Sequence, residues 1–441
     1  MADPKDATGT RTIRVEALTR VEGEGGLHVR LCGDRVEDVQ LTIFEPPRLF
    51  EALLRGRALE EVPDITARIC GICPVAYQMS AVHALEAALG VTPSAEVRRL
   101  RRLLYCGEWI ESHVLHMHLL HAPDFLGYES GLALARDYPD QVNRGLRLKK
   151  HGNRLLEVLG GRAIHPVNVA VGGFYRAPRA QELAALVPDF EWGLQAAVDI
   201  TRWVAGFDFP AYERSYRMLA LVHPDEYAMN EGQIMSTDGA VIDVAEYEQH
   251  YEERHVPHST ALHSVRKVDG SCYFVGPLAR VNLSLERLSP TARRLADEVG
   301  ITWPCRNTFQ AIVARGLELV HACEEALDIL RTYRPPNPPR AAYSYRSGSG
   351  CAATEAPRGL IYHRYGIDAG GLVTEAKIVP PTSQNQAQIE EDLRHWLPRL
   401  LDRPEPEMTL ACERLVRNYD PCISCSTHFL RLTLERRRDE K

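Results

Sequence analysis

Four of the chain's eleven cysteines fall into two C-x-x-C pairs, Cys70/Cys73 and Cys422/Cys425. The other seven (Cys32, Cys106, Cys272, Cys305, Cys323, Cys351 and Cys412) stand alone. C-x-x-C is a spacing at which two thiolates can share one metal, and four thiolates could hold structural zinc. Disulfide exchange is the weaker reading, since no βαβ pattern surrounds either pair. Zinc meets a different objection. The halves of a zinc ribbon usually lie close in sequence, whereas here most of the chain separates the pairs. Closing so long a loop is entropically tolerable, because the cost grows only with the logarithm of its length. It is nonetheless an odd way to build a local staple. From the cysteines alone, zinc and a redox-active metal stand level.

The flanks narrow the chemistry. The first pair reads Arg68-Ile-Cys70-Gly-Ile-Cys73-Pro74. The second reads Asp420-Pro-Cys422-Ile-Ser-Cys425-Ser-Thr-His428. Near the N-terminus stands Arg20-Val-Glu22-Gly, and further strings are Ala356-Pro-Arg358-Gly and Val379-Pro-Pro-Thr382. These strings, in this order, resemble the large subunit of nickel–iron hydrogenases, and the resemblance covers nearly the whole chain.

That resemblance implies a mainly helical α+β fold: a large-subunit fold with a small N-terminal antiparallel sheet and a core of long central helices. It implies one domain over residues 1–428 and a C-terminal extension, 429–441, removed by a maturation endopeptidase. By motif position, Cys70 and Cys422 would be terminal nickel ligands, and Cys73 and Cys425 would bridge nickel to iron. The iron would carry carbon monoxide and cyanide, facing Arg358, Pro381 and Thr382. Glu51, the backbone at Ile378 and His428 would hold Mg2+ or a similar hard cation, for which oxygen-rich shells are suited. Dihydrogen would be split heterolytically, with Cys422 as first proton acceptor and Glu22 as relay. Taken singly, Glu22 reads as a solvated loop glutamate, Arg358 as a surface arginine and Thr382 as a strand-end threonine.

Electrons need a way out. The solitary cysteines form no ferredoxin-type run, so the resemblance implies a partner, the iron–sulfur small subunit. Asp124-Phe-Leu-Gly127 and the short chain look most like the cytoplasmic, cofactor-coupled subgroup, sulfhydrogenase-like or NAD(P)-linked, with diaphorase-type subunits beyond. A hydrogen-sensing regulatory subunit is an alternative. So is a quinone-site subunit like that of respiratory complex I, against which the four cysteines argue. Gly348-Ser-Gly350-Cys-Ala-Ala353 superficially matches a dinucleotide fingerprint, but Pro357 leaves little room for the helix that motif requires.

Two positions depart from the family pattern. Tyr77 stands where many members have histidine, and Ser112 where many have aspartate. Arg358 and Asp420 remain, so a charged canopy over the metals is expected in altered form. His113, His116, His118 and His121 are expected to be buried hydrogen-bonding residues and not ligands.

The elements that must position these groups follow from periodicity. Thr12–Glu16, Gly26–Leu31 and Asp38–Phe44 alternate apolar and polar residues, as strands do. A helical pattern covers 48–55. Pro74 suits a first helical position and Gly90 a stop, so Cys70-Gly-Ile-Cys73 is expected on a turn feeding a helix N-terminus, a setting that favours thiolate. A longer helix is expected from an N-cap at Ser94 to about His121, with others at 180–205, 290–299 and 308–333. Pro335-Pro-Asn-Pro-Pro339 should be extended, and Asp368-Ala-Gly-Gly371 should turn between two strands.

At 441 residues, 45% apolar and 25% charged, the composition is ordinary for a globular protein. A net charge of −7 gives no electrostatic footprint for nucleic acid. No apolar run reaches membrane-spanning length. Met1-Ala-Asp-Pro-Lys-Asp6 lacks the core of an export signal, so the expected location is cytoplasmic.

Overall fold

A computed structural model describes residues 10–32, 35–46 and 48–427. Strands Thr10–Val15, Gly25–Cys32 and Arg35–Ile43 form the expected antiparallel sheet in sequential order. Its alternation buries Leu27, Val29, Leu31, Val39 and Leu41 on one face.

The centre is a bundle of four long helices: Ala95–Leu115, Pro139–Gly160, Val187–Ala205 and Ala311–Thr332. Ser94 caps the first, its hydroxyl accepting from Val97 N at 3.3 Å. The first two helices approach backbone to backbone. A Cβ on Gly152 would lie 2.9 Å from the carbonyl oxygen of Gly107, so glycine sets how close they come.

The helix that follows the first cysteine pair, Pro74–Leu89, is almost wholly buried and ends at a left-handed Gly90. It packs on a three-stranded sheet of Gly348–Ala356, Gly359–Ile367 and Val373–Val379. Gly350 makes that packing possible. A Cβ there would lie 2.3 Å from both Ala84 O and Ala88 N. The glycines of the dinucleotide look-alike therefore serve sheet-on-helix packing, and no phosphate-binding turn is present at that strand.

The helix expected to reach His121 changes character at its end. Ala95–Leu115 is α-helical, but His116–His121 is a π-helix, followed by a short α-helix, Ala122–Leu126. Wider π turns of this kind are rare and frequently sit at functional sites. The expected segment 180–205 is two helices, Ala180–Ala184 and Val187–Ala205. No helix among the described residues is long and apolar enough to cross a membrane.

Candidate metal centre

Cys70 and Cys73 occupy the predicted turn. Cys73 is the N-cap of Pro74–Leu89, and Cys70 Sγ accepts from Ile72 N at 3.3 Å and Cys73 N at 3.2 Å. The free amides of the helix's first turn are met by Glu108 of the long helix, which accepts from Val75 N at 2.6 Å and Ala76 N at 3.1 Å. Burial raises the Glu108 carboxyl well above its ordinary range. Burial also opposes ionisation of Cys70, but the Cys73 thiol and amide and the nearby Arg358 charge bring its pKa below the ordinary thiol value. The same pairing, with burial, lifts Cys73.

The second pair follows the helix Glu405–Asn418. Asp420 turns the chain with φ 51°, and Cys422 then joins Glu22 in a parallel bridge. Ile423 N donates to Glu22 O at 2.9 Å, and Ser424 N donates to Glu22 Oε2 at 3.1 Å. Arg48 closes the arrangement across both pairs: its backbone N donates to Thr427 O at 2.7 Å, and its guanidinium donates to Ile69 O at 2.7 Å and to Ser424 O.

The two pairs meet. All four sulfurs lie within 4.8 Å of one another and all four residues are buried. Cys70 Sγ is 3.6 Å from Cys422 Sγ. Cys422 Sγ and Cys425 Sγ lie side by side, so both present their sulfurs to the same point. A soft, four-thiolate donor set suits nickel and iron. Side chains around it are held with valences to spare. Arg358 donates through Nε to Asp420 O at 2.7 Å and through Nη2 to Asp420 Oδ1 at 3.2 Å. Arg358 Nη1 and Asp420 Oδ2, both buried, have no protein partner. Thr382 Oγ1, beside Pro381 at the start of the helix Pro381–Trp396, accepts from Cys422 N at 2.9 Å. Its own hydrogen remains to be donated. The donor set and these unspent donors fit a nickel–iron group.

Glu22, the expected relay, lies with Oε2 3.1 Å from Cys422 Sγ. Ser424 Oγ in turn donates to Glu45 at 3.0 Å. Glu51 and Ile378 are brought together, but through the amide: Ile378 N donates to Glu51 Oε1 at 2.8 Å. Burial pushes the Glu51 carboxyl up to about 7 against the opposing charge of Lys377. His428, the expected third ligand there, lies outside the described residues, as do residues 429–441, the expected extension.

The two departures fill their places quietly. Tyr77 is buried with its ring 5.8 Å from that of His363, and Ser112 is buried with an unpartnered hydroxyl. His113 binds Glu318 at 2.9 Å, His116 binds Arg417 O at 2.8 Å and His118 binds Val114 O at 3.1 Å. Three contributors escaped the sequence reading: Glu108, Glu45 and Arg315. Arg315 is buried close enough to feel the Asp420 charge. None of them has a local motif. Only a helix N-terminus lacking a capping side chain, as at Pro74, hinted that a distant carboxylate was needed.

Comparison with known proteins agrees with this geometry. The family model of the nickel-dependent hydrogenases matches residues 48–144 and 267–428. The alpha subunit of sulfhydrogenase 1 from Pyrococcus furiosus is 35% identical over 425 residues, covering 95% of this chain and 98% of that protein. The alpha subunit of sulfhydrogenase 2 from the same organism is 34% identical over 95% and 100%. A chain of the F420-non-reducing hydrogenase vhu of Methanocaldococcus jannaschii is 30% identical over 87% and 97%. Among solved structures, an NAD+-reducing [NiFe]-hydrogenase in the H2-reduced state superposes with a TM-score of 0.82 at 25% identity, over 95% of this chain and 99% of that one. With four buried thiols converging beneath Arg358, the chain belongs to the nickel-dependent hydrogenases and is the catalytic large subunit of a nickel–iron hydrogenase.

Proposed function

We propose that this subunit splits dihydrogen reversibly in the cytoplasm. The electrons pass first to an iron–sulfur small subunit, then through diaphorase-type subunits to NAD(P) or another soluble carrier. The observation that carries the reading is the convergence of Cys70, Cys73, Cys422 and Cys425 on one point. These four would hold nickel, with Cys73 and Cys425 shared with an iron bearing carbon monoxide and cyanide. When bound, that group supplies the site of heterolytic hydrogen cleavage. The similarity to sulfhydrogenase subunits and to an NAD+-reducing enzyme supports the soluble-carrier coupling.

The chain's own residues handle the proton and the surroundings. Cys422 Sγ takes the proton and Glu22 Oε2, 3.1 Å away, receives it. Ser424 fixes that carboxylate through its amide and offers its hydroxyl to Glu45. Arg358 Nη1 and the Thr382 hydroxyl are donors for the cyanides, with Pro381 as an apolar wall. Glu51, Ile378 and His428 are assigned to Mg2+ or a similar hard cation. The turn that carries Cys70 reaches the surface: Gly71 is exposed and Ile72 half-buried, a short path for electrons into a docked partner. An endopeptidase cutting after His428 would remove residues 429–441 once nickel is in place.

The test is nickel analysis together with infrared detection of metal-bound carbonyl and cyanide on the purified complex. One nickel per chain with those bands is expected. Zinc at the cysteines, or the absence of the bands from active protein, would overturn the reading.

A further inference from the structure

Away from the four cysteines, the structure gathers a second set of ligating side chains. His258, in the loop before the strand His263–Arg266, His263 itself and Glu390 of the helix Pro381–Trp396 bring one ligand atom each within 4.8 Å of one another. His258 Nε2 is 2.8 Å from Glu390 Oε1, and the two imidazole rings are 5.5 Å apart. His263 and Glu390 are buried, and His258 is 17% exposed.

A fourth side chain points to a ligand. Gln386 is fully buried, and its amide lies against the His263 ring without a well-formed hydrogen bond to any protein group. It stands four residues before Glu390, on the same helical face, and beside His263. His263 Nε2 is also buried and unpartnered. Buried polar atoms left without partners are uncommon and call for an explanation such as an ion or water.

We propose that His258, His263, Glu390 and the amide oxygen of Gln386 form a structural site for a zinc-class divalent cation. Two imidazole nitrogens, one carboxylate and one amide oxygen make a borderline donor set, unlike the all-sulfur centre, and it suits zinc over nickel–iron chemistry or Mg2+. The placement also gives the ion work. Glu390 Oε1 accepts from Leu41 N of the N-terminal sheet at 2.9 Å, so a cation there ties that sheet, the His258 loop and the helix whose first turn carries Thr382.

The experiment is elemental analysis and zinc-edge X-ray absorption on the purified holoenzyme, dialysed with zinc chloride and then freed of excess. One zinc per nickel, with a shell of nitrogen and oxygen only, is expected. In the double variant His258→Ala/Glu390→Gln, retained zinc should fall more than about tenfold while nickel is unchanged. His258→Ala alone, at the partly exposed ligand, serves if the double variant does not fold. No zinc in the wild type, sulfur in its shell, or undiminished zinc in a folded variant would overturn the proposal. None of these outcomes touches the nickel–iron reading, which rests on the nickel count and the infrared bands.

Discussion

Two buried charged regions lie within a few residues of each other in the chain and are built on opposite terms. Every donor of Arg280 is spent. Its Nε and Nη2 donate to the two oxygens of Glu318 at 2.6 and 2.7 Å. Its Nη1 donates to Glu355 Oε2 at 2.9 Å and Ala356 O at 2.8 Å, and Nη2 also reaches Pro357 O at 3.1 Å. Tyr227 and His113 complete Glu318, and Leu221 N completes Glu355. Arg358, the next residue, is just as buried, yet it keeps Nη1 idle opposite an idle Asp420 oxygen. The closed network grips the backbone at 356 and 357 so that the open one can be presented from 358. Saturation marks the anchor, and unspent donors mark the site.

The comparison can be broken or sharpened by mutation. The largest effect is expected at the sulfurs. Cys425→Ser should leave the fold intact, shown by circular dichroism, and abolish both nickel retention and turnover. Nickel bound at wild-type level would separate this cysteine from the centre.

Glu22→Gln comes next. It removes a titratable proton while keeping size and most hydrogen bonding, so turnover should drop about 10²–10⁴-fold at full nickel content. Normal turnover would dismiss the relay. Loss of nickel would make Glu22 an assembly residue.

On the anchor side, Arg280→Met strands Glu318 and Glu355 without their cation. Breaking a buried pair in this way costs about 3–5 kcal/mol, to be read from the midpoint of chemical denaturation. The same network sets an acid limit. Burial favours the neutral form of Glu318, but Arg280 and His113 outweigh it and hold the carboxyl at about 2, below its ordinary 4.5. Its contribution is therefore present above about 4.5 and is lost as pH falls towards about 2. Arg280→Met should flatten the stability profile in that window. An unchanged profile would show that other carboxylates set the limit.

The smallest effect belongs to Thr382→Val, which leaves the Cys422 amide without its acceptor at a cost of about 1–3 kcal/mol. Thr382→Ser should recover it. Equal behaviour of the two variants would mean that the hydroxyl is not what seats the Cys422 loop.

How far these arrangements were legible depends on whether their cause is local. The cysteine turn, Pro74 at the helix start, the Gly90 stop and the Ser94 cap were each written in a few adjacent residues, and each is where the sequence places it. The flanking strings located Glu22, Arg358, Thr382 and the four sulfurs. The anchor was invisible, because Arg280, Glu318 and Glu355 share no spacing and meet only when a helix, a second helix and a strand pack together. Gly348–Ala356 lacked the branched and aromatic residues of an obvious strand, since the helix lying on it demands small ones. The helices Pro139–Gly160, Pro381–Trp396 and Glu405–Asn418 give no plain signal in sequence, because their segments are rich in charge and amide. Their stability comes from tertiary burial of one face more than from propensity.

The π-helix at His116–His121 has a consequence for phase. A wide turn advances each following residue around the axis by less than an α-turn does. Just beyond it, Asp124 meets Arg20 from the first strand's exit and accepts from Arg417 of the last helix at 2.7 and 2.8 Å. Tightening the six residues of the wide turn to α-helix, with none removed, would swing everything after it by about 100°, carrying Asp124 off the line between those two arginines. The insertion thus works as an angular shim. It times one carboxylate to face both ends of the chain, whose meeting puts Glu22 against Cys422.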